Sequence, residues 1–316
     1  MNILMRANAG VKAALVFLIT IISSSPIIFV SAQQSSINSS AQNQRTAIPE
    51  QIITDNKNDI LIKILANNLE DRLNKSAAIL EITSKLPEVK NVSYANMLNN
   101  TLKTLHGIPK DADLAKRNVA QDVLAANKDF RVITFIMPNG DMYLQEPYSR
   151  QQNLTGTNFA DREYFKGVVS THGTYLGGVF VSASSGLKQV VIAVPIYSEN
   201  NEESSPLLGI WVGGFDKSLE ESLQSLNITD NEYGSSRIVY VDQYGQKVAD
   251  SDKNLDSKIE SFVNLRGFKN AIKGQSGSNI ELINGTKMLV FYEPVKVYST
   301  NWAALLMQPY NVTSVG

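Results

Sequence analysis

An arginine and two aromatic residues lie within four positions of one another in the stretch NFADREYFKGVVSTHG, residues 158–173. Arg162 offers a planar fork of donors that fits a carboxylate with two parallel hydrogen bonds. Tyr164 adds a directional hydroxyl, and Phe165 adds an apolar wall. Because Arg162 and Tyr164 are two residues apart, they do not share a face of a regular helix. They can line one pocket only if the helix begins after them, or if Tyr164 forms a side wall.

A structural role explains the same residues without a ligand. In that interpretation Arg162 pairs with Asp161 or Asp216 at a helix end, and Tyr164 belongs to the core. His172 lies just past the predicted helix, where it is either a ligand contact or an exposed helix C-cap. The residues alone leave both interpretations open.

Other chemical motifs are missing from the sequence. It has no cysteine and two histidines, which excludes disulfide scaffolds, thiolate zinc sites and cysteine nucleophiles. Residues 250–261 resemble a calcium loop, but Leu255 and Ser261 stand where such a loop needs glycine and glutamate. No glycine-rich phosphate loop and no Gly-x-Ser-x-Gly motif occurs. We therefore expect no enzymatic activity, no metal and no cofactor.

The overall composition predicts a folded protein that does not bind nucleic acid. The chain has 316 residues, 43% of them hydrophobic, which is enough for two modules with substantial cores or for one large domain. Its 29 basic residues are matched by 30 acidic ones, for a net charge of -1. Binding to phosphates requires clustered lysine and arginine, and this balance argues against it.

The N-terminus has the order of an export signal. Arg6 and Lys12 precede an apolar run, and Val30–Ala32 fits a cleavage site. Residues 13–30 are also close to the minimum length for crossing a bilayer. Residues 1–32 are therefore a signal peptide or a membrane anchor, and the rest of the protein is expected outside the cytoplasm, anchored or secreted. Sequons of a glycosylated surface protein begin at Asn38, Asn74, Asn91, Asn99, Asn153, Asn227, Asn284 and Asn311.

A flexible linker and a helical region follow the export signal. Residues 33–48 are polar and rich in Ser and Gln, which is typical of a tether. In residues 49–128, apolar residues at three-, four- and seven-residue spacings predict one long amphipathic helix that Pro87 stops. Shorter helices are predicted around 95–105 and 112–127. The long helix is also predicted as the interface of a homodimer.

From residue 129 onward the pattern changes, and it occurs twice. The order strand–strand–helix–strand–strand–strand is predicted in residues 129–226 and again in 227–310, before a tail at 311–316. The matched pairs are Phe135 and Tyr240, Gly140 and Gly245, Phe165 and Phe268, Pro195 and Pro294, and Trp211 and Trp302. The duplication predicts an α+β fold, with two antiparallel sheets that carry helices on one face. A helix near 217–226 is predicted to join them.

Three segments resemble the double Cache family of extracellular sensor domains. They are DREYF at Asp161–Phe165, VPIY at Val194–Tyr197 and GIWVGGFD at Gly209–Asp216. The resemblance covers roughly residues 48–310 and implies two PAS-like Cache modules after the long helix. It implies that residues 129–226 are the membrane-distal module with the ligand pocket, and 227–310 the membrane-proximal one. Family members bind small molecules outside the cell and signal through the membrane to kinase, cyclase or chemotaxis modules.

The resemblance also implies a set of ligand contacts. In the amino-acid-binding branch a tyrosine precedes an Arg-x-Trp-Tyr stretch by five residues, and an aspartate follows on a later strand. This chain has Thr157 at the tyrosine position and Asp216 for the aspartate, and an acidic residue of the hairpin is replaced near Ser182. The carboxylate-binding part is kept and the amine-binding part is thinned, so we expect a small carboxylate rather than an amino acid. The contacts expected are Arg162, Tyr164, Phe165, His172, Ser182 and Asp216.

A second function from another class also fits the sequence. The chain could be a surface structural or adhesion glycoprotein that uses the same fold without a ligand. A well-formed pocket walled by Arg162, Tyr164 and Asp216 favours the sensor. A pocket filled by side chains favours the structural protein.

Overall fold

The computed structural model describes residues 50–199, 205–226, 236–255 and 258–310. The predicted export segment, the linker and the tail lie outside the described residues. Apart from its first few residues, the described part belongs to one compact unit, Ile53–Gly316.

A long helix opens the described chain. Helix α1, Glu50–Ser84, has 35 residues and is about 52 Å long at 1.5 Å per residue. It ends three residues before Pro87, as the sequence predicts. The other elements of this region are α2 Pro87–Lys90, a 3₁₀ turn Ala95–Met97, α3 Leu98–Leu105 and α4 Leu114–Ala126. No helix in the described part of the chain is long and apolar enough to cross a membrane.

The first sheet is antiparallel and has six strands. Its strands are β1 Val132–Ile136, β2 Met142–Glu146, β3 Tyr175–Leu176, β4 Phe180–Val181, β5 Lys188–Tyr197 and β6 Leu207–Phe215. They are ordered β2-β1-β6-β5-β3, and β4 also pairs with β5. Two helices lie between β2 and β3, namely α5 Tyr148–Gln152 and α6 Glu163–Thr171. The first arm of the predicted hairpin is split into β3 and β4 at Gly177 and Gly178.

The second sheet repeats the strand order of the first. Helix α7, Ser218–Gln224, lies between the two sheets in the chain. The elements after it are β7 Arg237–Val241, β8 Lys247–Asp250, α8 Arg266–Ala271, β9 Gly277–Ile283, β10 Thr286–Val297 and β11 Thr300–Pro309. The strands are ordered β8-β7-β11-β10-β9. The predicted α+β fold, with a long N-terminal helix and two antiparallel sheets, is confirmed.

Helix α1 packs along one face of both sheets. Its buried residues belong to the same hydrophobic cluster as Trp211 of the first sheet and Trp302 of the second. The indole Nε1 of Trp211 donates to Thr83 Oγ1 at 3.0 Å, and Asn58 Nδ2 donates to Gln308 Oε1 at 2.6 Å. The opposite face of each sheet has its own cluster, around α6 in the first and around α8 in the second. The cleft described below lies on the α6 face.

Strand register corrects one of the predicted residue pairs. Phe135 is paired with Trp211 in the first sheet, and Tyr240 is paired with Ala304 in the second. Trp211 therefore corresponds to Ala304, and Trp302 lies two residues earlier on its strand. Because side chains alternate between faces with a period of two, both indoles still point toward α1. The sequence match aligned the tryptophans by type and missed this shift.

Candidate functional site

A cleft opens between α6, the β4–β5 hairpin and the first sheet. It encloses about 380 Å³ of space between atoms, including the solvent at its mouth. Its walls are about equally polar and apolar. The lining residues are Val132, Thr134, Met142, Gln145, Leu154, Phe159, Arg162, Tyr164, Phe180, Ser182, Ala183, Ser184, Gln189, Val191 and Val212.

Arg162 stands at the start of α6, and its guanidinium has no polar partner in the part of the chain that the structure describes. It is the N-cap residue, in extended conformation at φ -65° and ψ 140°, and α6 begins at Glu163. Its guanidinium carbon lies 5.3 Å from the centre of the Phe180 ring and 5.9 Å from that of Phe159. Among the described residues its guanidinium has no hydrogen bond and no ion pair, so neither Asp161 nor Asp216 neutralises it. Five other arginines of the described chain do pair with acids: Arg72, Arg117, Arg131, Arg150 and Arg237.

Tyr164 lies in the first turn of α6 and also faces the cleft. The backbone turns between Arg162 and the helix, which brings these two residues to one site although they are two positions apart. The Tyr164 ring packs on Phe180 with the centroids 5.5 Å apart. Burial raises the pKa of Tyr164 well above its ordinary value, and the charge of Arg162 acts in the opposite direction. The hydroxyl therefore stays protonated at neutral pH and can donate, and it has no hydrogen bond to a described residue.

Gln145 supplies a buried acceptor on the opposite wall. Its Nε2 donates to Thr134 Oγ1 at 2.8 Å, while its Oε1 is buried and accepts no hydrogen bond from the described residues. Gln145 and Met142 are three apart and would face opposite sides of a regular strand. A register shift between Phe135 and Ile136 in the β1–β2 pair lets both line the cleft.

The hairpin between β4 and β5 closes the cleft with small side chains. Ser182 and Ser184 are buried, and their hydroxyl oxygens lie 3.3 Å apart. The tip is tied to the neighbouring loop by the backbone hydrogen bond from Thr155 N to Ala183 O at 3.1 Å. Ser182 was expected near the ligand, and the structure places it on the wall of the cleft.

Three of the expected contacts lie outside the cleft. Phe165 is buried in the core beneath α6, because it faces the sheet while Tyr164 faces the cleft. His172 is the exposed C-cap of α6, in left-handed conformation at φ 52°, which is the alternative that the sequence left open. Asp216 is the third, and its carboxylate is hydrogen-bonded to other residues of the protein.

Asp216 is held by groups behind the cleft wall. Arg150, on α5, donates to Asp216 Oδ2 through Nη2, and Gln189 Nε2 donates to Oδ1 at 2.5 Å. Gln189 lines the cleft and stands between it and the acid. The carboxylate is thereby paired within the protein, and among the described residues that line the cleft Arg162 is the one with a charge.

The second sheet provides an internal comparison for the cleft. Phe159 N donates a hydrogen bond to Gly140 O, and Arg162 N donates to Phe159 O. The same series of backbone hydrogen bonds occurs in the second sheet, where Leu265 N is the last donor. Leu265 therefore takes the place of Arg162. By strand register, Val212 of the cleft lining corresponds to Leu305, which is larger and belongs to the core there.

The buried polar wall differs between the sheets as well. Gln145 corresponds to Asp250 by register. Burial acts to raise the pKa of Asp250, but hydrogen bonds and charge from Arg237 hold it below its ordinary value. Lys247 Nζ also bonds Asp250 Oδ2 at 3.0 Å. The second sheet thus has a group of internal ion pairs at the position of Gln145 and a leucine at the position of Arg162.

Glu163 connects the cleft helix to the second sheet. Its Oε1 accepts from the Tyr244 hydroxyl at 2.8 Å, and its Oε2 accepts from Gly178 N at 3.2 Å. Beside it, Val179 N donates to Asp242 Oδ2 at 2.8 Å. Tyr244 and Asp242 belong to the β7–β8 turn, so residues next to Arg162 touch the second sheet directly.

The sequence model of the Cache domain family matches residues 44–314. The chain belongs to the Cache domain family. The resemblance on which the sequence analysis relied is confirmed, and the Cache match covers the long helix and both sheets. No curated protein sequence matched the chain.

Several solved structures have the same fold at low sequence identity. The ligand-binding domain of the Pseudomonas fluorescens chemoreceptor CtaA with L-isoleucine has a TM-score of 0.52 and 17% identity, covering 82% of this chain and 93% of that one. The domain of the Pseudomonas aeruginosa PAO1 amino acid chemoreceptor PctC with GABA gives 0.51 and 16%, covering 81% and 100%. The periplasmic sensory domain of the Campylobacter jejuni chemoreceptor Tlp1 gives 0.54 and 15%, covering 82% and 96%. At these identities the comparison establishes the fold.

Sequence analysis missed several residues of the Cache cleft. Gln145 and Gln189 are uncharged polar residues in strands whose other positions are mostly apolar, and that pattern is a usable signal of a polar wall. Phe180 and Ser184 lie near Ser182 in a hairpin whose tip was predicted. Arg150 gave no signal, because its partner Asp216 is 66 residues away.

Proposed function

We propose that the chain is the extracytoplasmic sensor module of a signal-transduction protein, and that its first sheet binds a small carboxylate in the cleft. The observation that carries the proposal is the unpaired guanidinium of Arg162 at the cleft wall. A carboxylate would supply the planar acceptor that this fork of donors lacks. The Tyr164 hydroxyl next to it is a second donor without a partner.

The charges around the cleft favour a carboxylate over an amino acid. The ammonium group of an amino acid needs a counter-charge when it leaves water. Asp216, the acid expected for that role, is paired with Arg150 and lies behind Gln189. The CtaA and PctC domains are solved with L-isoleucine and GABA. In the present cleft Arg162 is charged, and no acidic residue is among the described residues that line it.

The open cleft favours a sensor over a structural glycoprotein. A scaffold that needs only stability gains by filling such a space with apolar side chains. The second sheet has apolar side chains at the equivalent positions, with Leu265 for Arg162 and Leu305 for Val212. The first sheet keeps the smaller Val212 and an arginine whose guanidinium has no polar partner among the described residues.

Location and assembly complete the proposal. The export-type N-terminus and the solved relatives titled extracellular or periplasmic support a position outside the cytoplasm. Attachment to the membrane through residues 1–32 and a homodimer along α1 are the corresponding predictions. The ligand-binding module, residues 129–226, is proposed as the membrane-distal one and residues 227–310 as the membrane-proximal one.

A thermal-shift screen of the purified protein against small carboxylates, amino acids and amines tests the proposal. A ligand at a hundred times its Kd stabilises the folded state by about 2.7 kcal/mol, which raises Tm by roughly 5–10 °C for a chain of this size. We expect carboxylates to give the shift.

Arg162→Leu is the decisive variant, because the second sheet carries leucine at the same turn. It should weaken carboxylate binding by about thirty- to a thousandfold, the loss expected for a charge-assisted pair, and leave the unliganded Tm nearly unchanged. Arg266→Ala, at an exposed arginine of the second sheet, is the control and should bind normally. Equal binding by Arg162→Leu and wild type, or no binding by any carboxylate, would contradict the proposal.

A further inference from the structure

Besides the donors of Arg162 and Tyr164, the cleft has an unused polar group that is an acceptor. Gln145 is 6% exposed, and its Oε1 is buried without a hydrogen bond from the described residues. Its Nε2 is already used, since it donates to Thr134 Oγ1. The free oxygen therefore needs a donor that the described protein does not supply.

We propose that the cleft selects carboxylates that also carry a hydroxyl group, and that Gln145 is the residue that binds this hydroxyl. The inference rests on the proposed function, in which Arg162 binds the carboxylate. Arg162 and Gln145 line the same cleft from α6 and from β2. A small hydroxy acid would meet the unpaired donors of Arg162 with its carboxylate and the unpaired acceptor of Gln145 with its hydroxyl.

A neutral donor fits this position better than a charged one. An ammonium group at the Gln145 oxygen would leave water without an acidic partner, because no acidic residue lines the cleft among those described. A hydroxyl donates one hydrogen bond and carries no charge to compensate. A ligand that fills the cleft without any donor leaves the Gln145 oxygen shielded and unpaired, which lowers its affinity.

The remaining polar groups of the cleft do not explain a hydroxyl preference as well. Ser182 and Ser184 lie within hydrogen-bond distance of each other, and a hydroxyl can donate as well as accept. They can therefore satisfy ligands with or without a hydroxyl. Gln189 also has its Nε2 committed, to Asp216, but among the described residues its Oε1 is not a buried acceptor without a partner, as Gln145 Oε1 is. Gln145 is thus the cleft residue that discriminates by its acceptor.

The test uses matched pairs of ligands with the purified full chain. Calorimetric titration measures Kd for glycolate and acetate, for lactate and propionate, and for 3-hydroxybutyrate and butyrate, with pyruvate and L-alanine as further probes. In at least one pair the hydroxy acid should bind about tenfold or more tightly than its partner, the range expected when a buried acceptor gains or lacks a donor. Lactate should also bind more tightly than pyruvate and L-alanine.

The variant Gln145→Met tests whether Gln145, and not a neighbouring polar residue, binds the hydroxyl group of the ligand. The variant keeps the length and volume of the side chain and removes the acceptor, so the affinity ratio within the pair should fall close to one. Ser184→Ala is the matched control on the opposite wall and should keep the wild-type ratio. A thermal melt of each unliganded variant establishes that it is folded, and the ratio in the wild-type protein is informative without any variant.

Each of the other outcomes would contradict the proposed function, the hydroxyl preference or its assignment to Gln145. If no carboxylate binds, the proposed function fails and the hydroxyl preference fails with it. If carboxylates bind with equal affinity within every pair, the proposed function stands and the hydroxyl preference is wrong. A preference for pyruvate would mean that Gln145 presents its amide N–H instead, and loss of the ratio in Ser184→Ala but not in Gln145→Met would assign the hydroxyl to the serines.

Discussion

The ion pair between Arg150 and Asp216 should be a structural contact whose loss is measurable in the unliganded protein. The side chain of Asp216 is 6% exposed and that of Arg150 is 18% exposed. Nη1 of Arg150 is buried without a hydrogen bond to the described residues. Replacing Asp216 by asparagine would therefore leave a mostly buried cation without its counter-charge.

The size of the effect follows from this burial. Removing one partner of a fully buried ion pair costs about 3–5 kcal/mol. Arg150 keeps some contact with solvent, and an asparagine oxygen still accepts one hydrogen bond, so we expect Asp216→Asn to cost about 2–3 kcal/mol of unfolding free energy. For a chain of this length that lowers Tm by roughly 4–12 °C.

Denaturant and thermal unfolding, each at low and high salt, measure the difference. The control is Glu221→Gln, which breaks the pair with Arg131 whose side chains are 42% and 59% exposed. An exposed pair is worth less than about 1 kcal/mol and is screened by salt. Arg162→Leu should be close to wild type, since Arg162 has no polar partner in the described protein.

The comparison of Asp216→Asn with Arg162→Leu decides which arginine has a structural role and which is available to a ligand. If Arg162→Leu destabilises the unliganded protein as much as Asp216→Asn, Arg162 is a structural residue and the proposal that it binds a ligand is wrong. If Asp216→Asn costs no more than Glu221→Gln, Asp216 is not held by Arg150 and is free to meet a ligand.

Three further predictions concern the cleft and its surroundings. Tyr164→Phe should match wild type in unfolding free energy up to about pH 9 and then increasingly exceed it, by about 1.4 kcal/mol at pH 11, because the raised pKa keeps the folded tyrosine protonated while the unfolded one ionises; equal pH profiles in denaturant titrations would contradict this. Gly178→Ala should lower the free energy of unfolding by about 1–3 kcal/mol in the same assay, since the added Cβ would lie 2.8 Å from the Tyr244 ring. An unchanged denaturation midpoint would mean that the Tyr244 ring moves aside without a loss of stability. Val212→Leu copies Leu305 of the second sheet into the cleft, so it should weaken carboxylate binding about tenfold while the unliganded Tm holds; unaltered binding by calorimetry would place the ligand elsewhere.

Periodicity and turn chemistry were enough to predict the elements and their duplication. The spacing of apolar residues up to Pro87 predicted α1, because a buried helical face must repeat with the helical period and proline cannot continue the helix. Gly140 and Gly245 have φ of 90° and 80°, a backbone conformation that favours glycine, so the two turns were recognisable as equivalents. Phe165 and Phe268 follow their helix starts at the same distance. These are local requirements of the backbone and leave a trace in the order of residues.

Arg162 was recognisable as a candidate for the same reason, since a guanidinium beside two aromatic residues is a local pattern. The environment of Arg162 could not be predicted from the sequence. Whether Arg162 meets Asp216 depends on where α5 brings Arg150, and that arrangement is a matter of packing between segments far apart in the chain. The sequence therefore supported both a paired and an unpaired arginine.

Gln145 and the tryptophans show the same limit in strand register. A bulge of one residue between Phe135 and Ile136 decides that Gln145 faces the cleft, and a shift of two residues separates the positions of Trp211 and Trp302. Side chains alternate along a strand, so each register step changes which groups meet. Register is set by the pairing of whole strands in the folded sheet, and residue order does not specify it locally. The residue types of this cleft could be read along the chain. Their convergence around one open space arises from how the strands and helices pack, and among the described residues the Arg162 guanidinium, the Tyr164 hydroxyl and the Gln145 oxygen have no partner there.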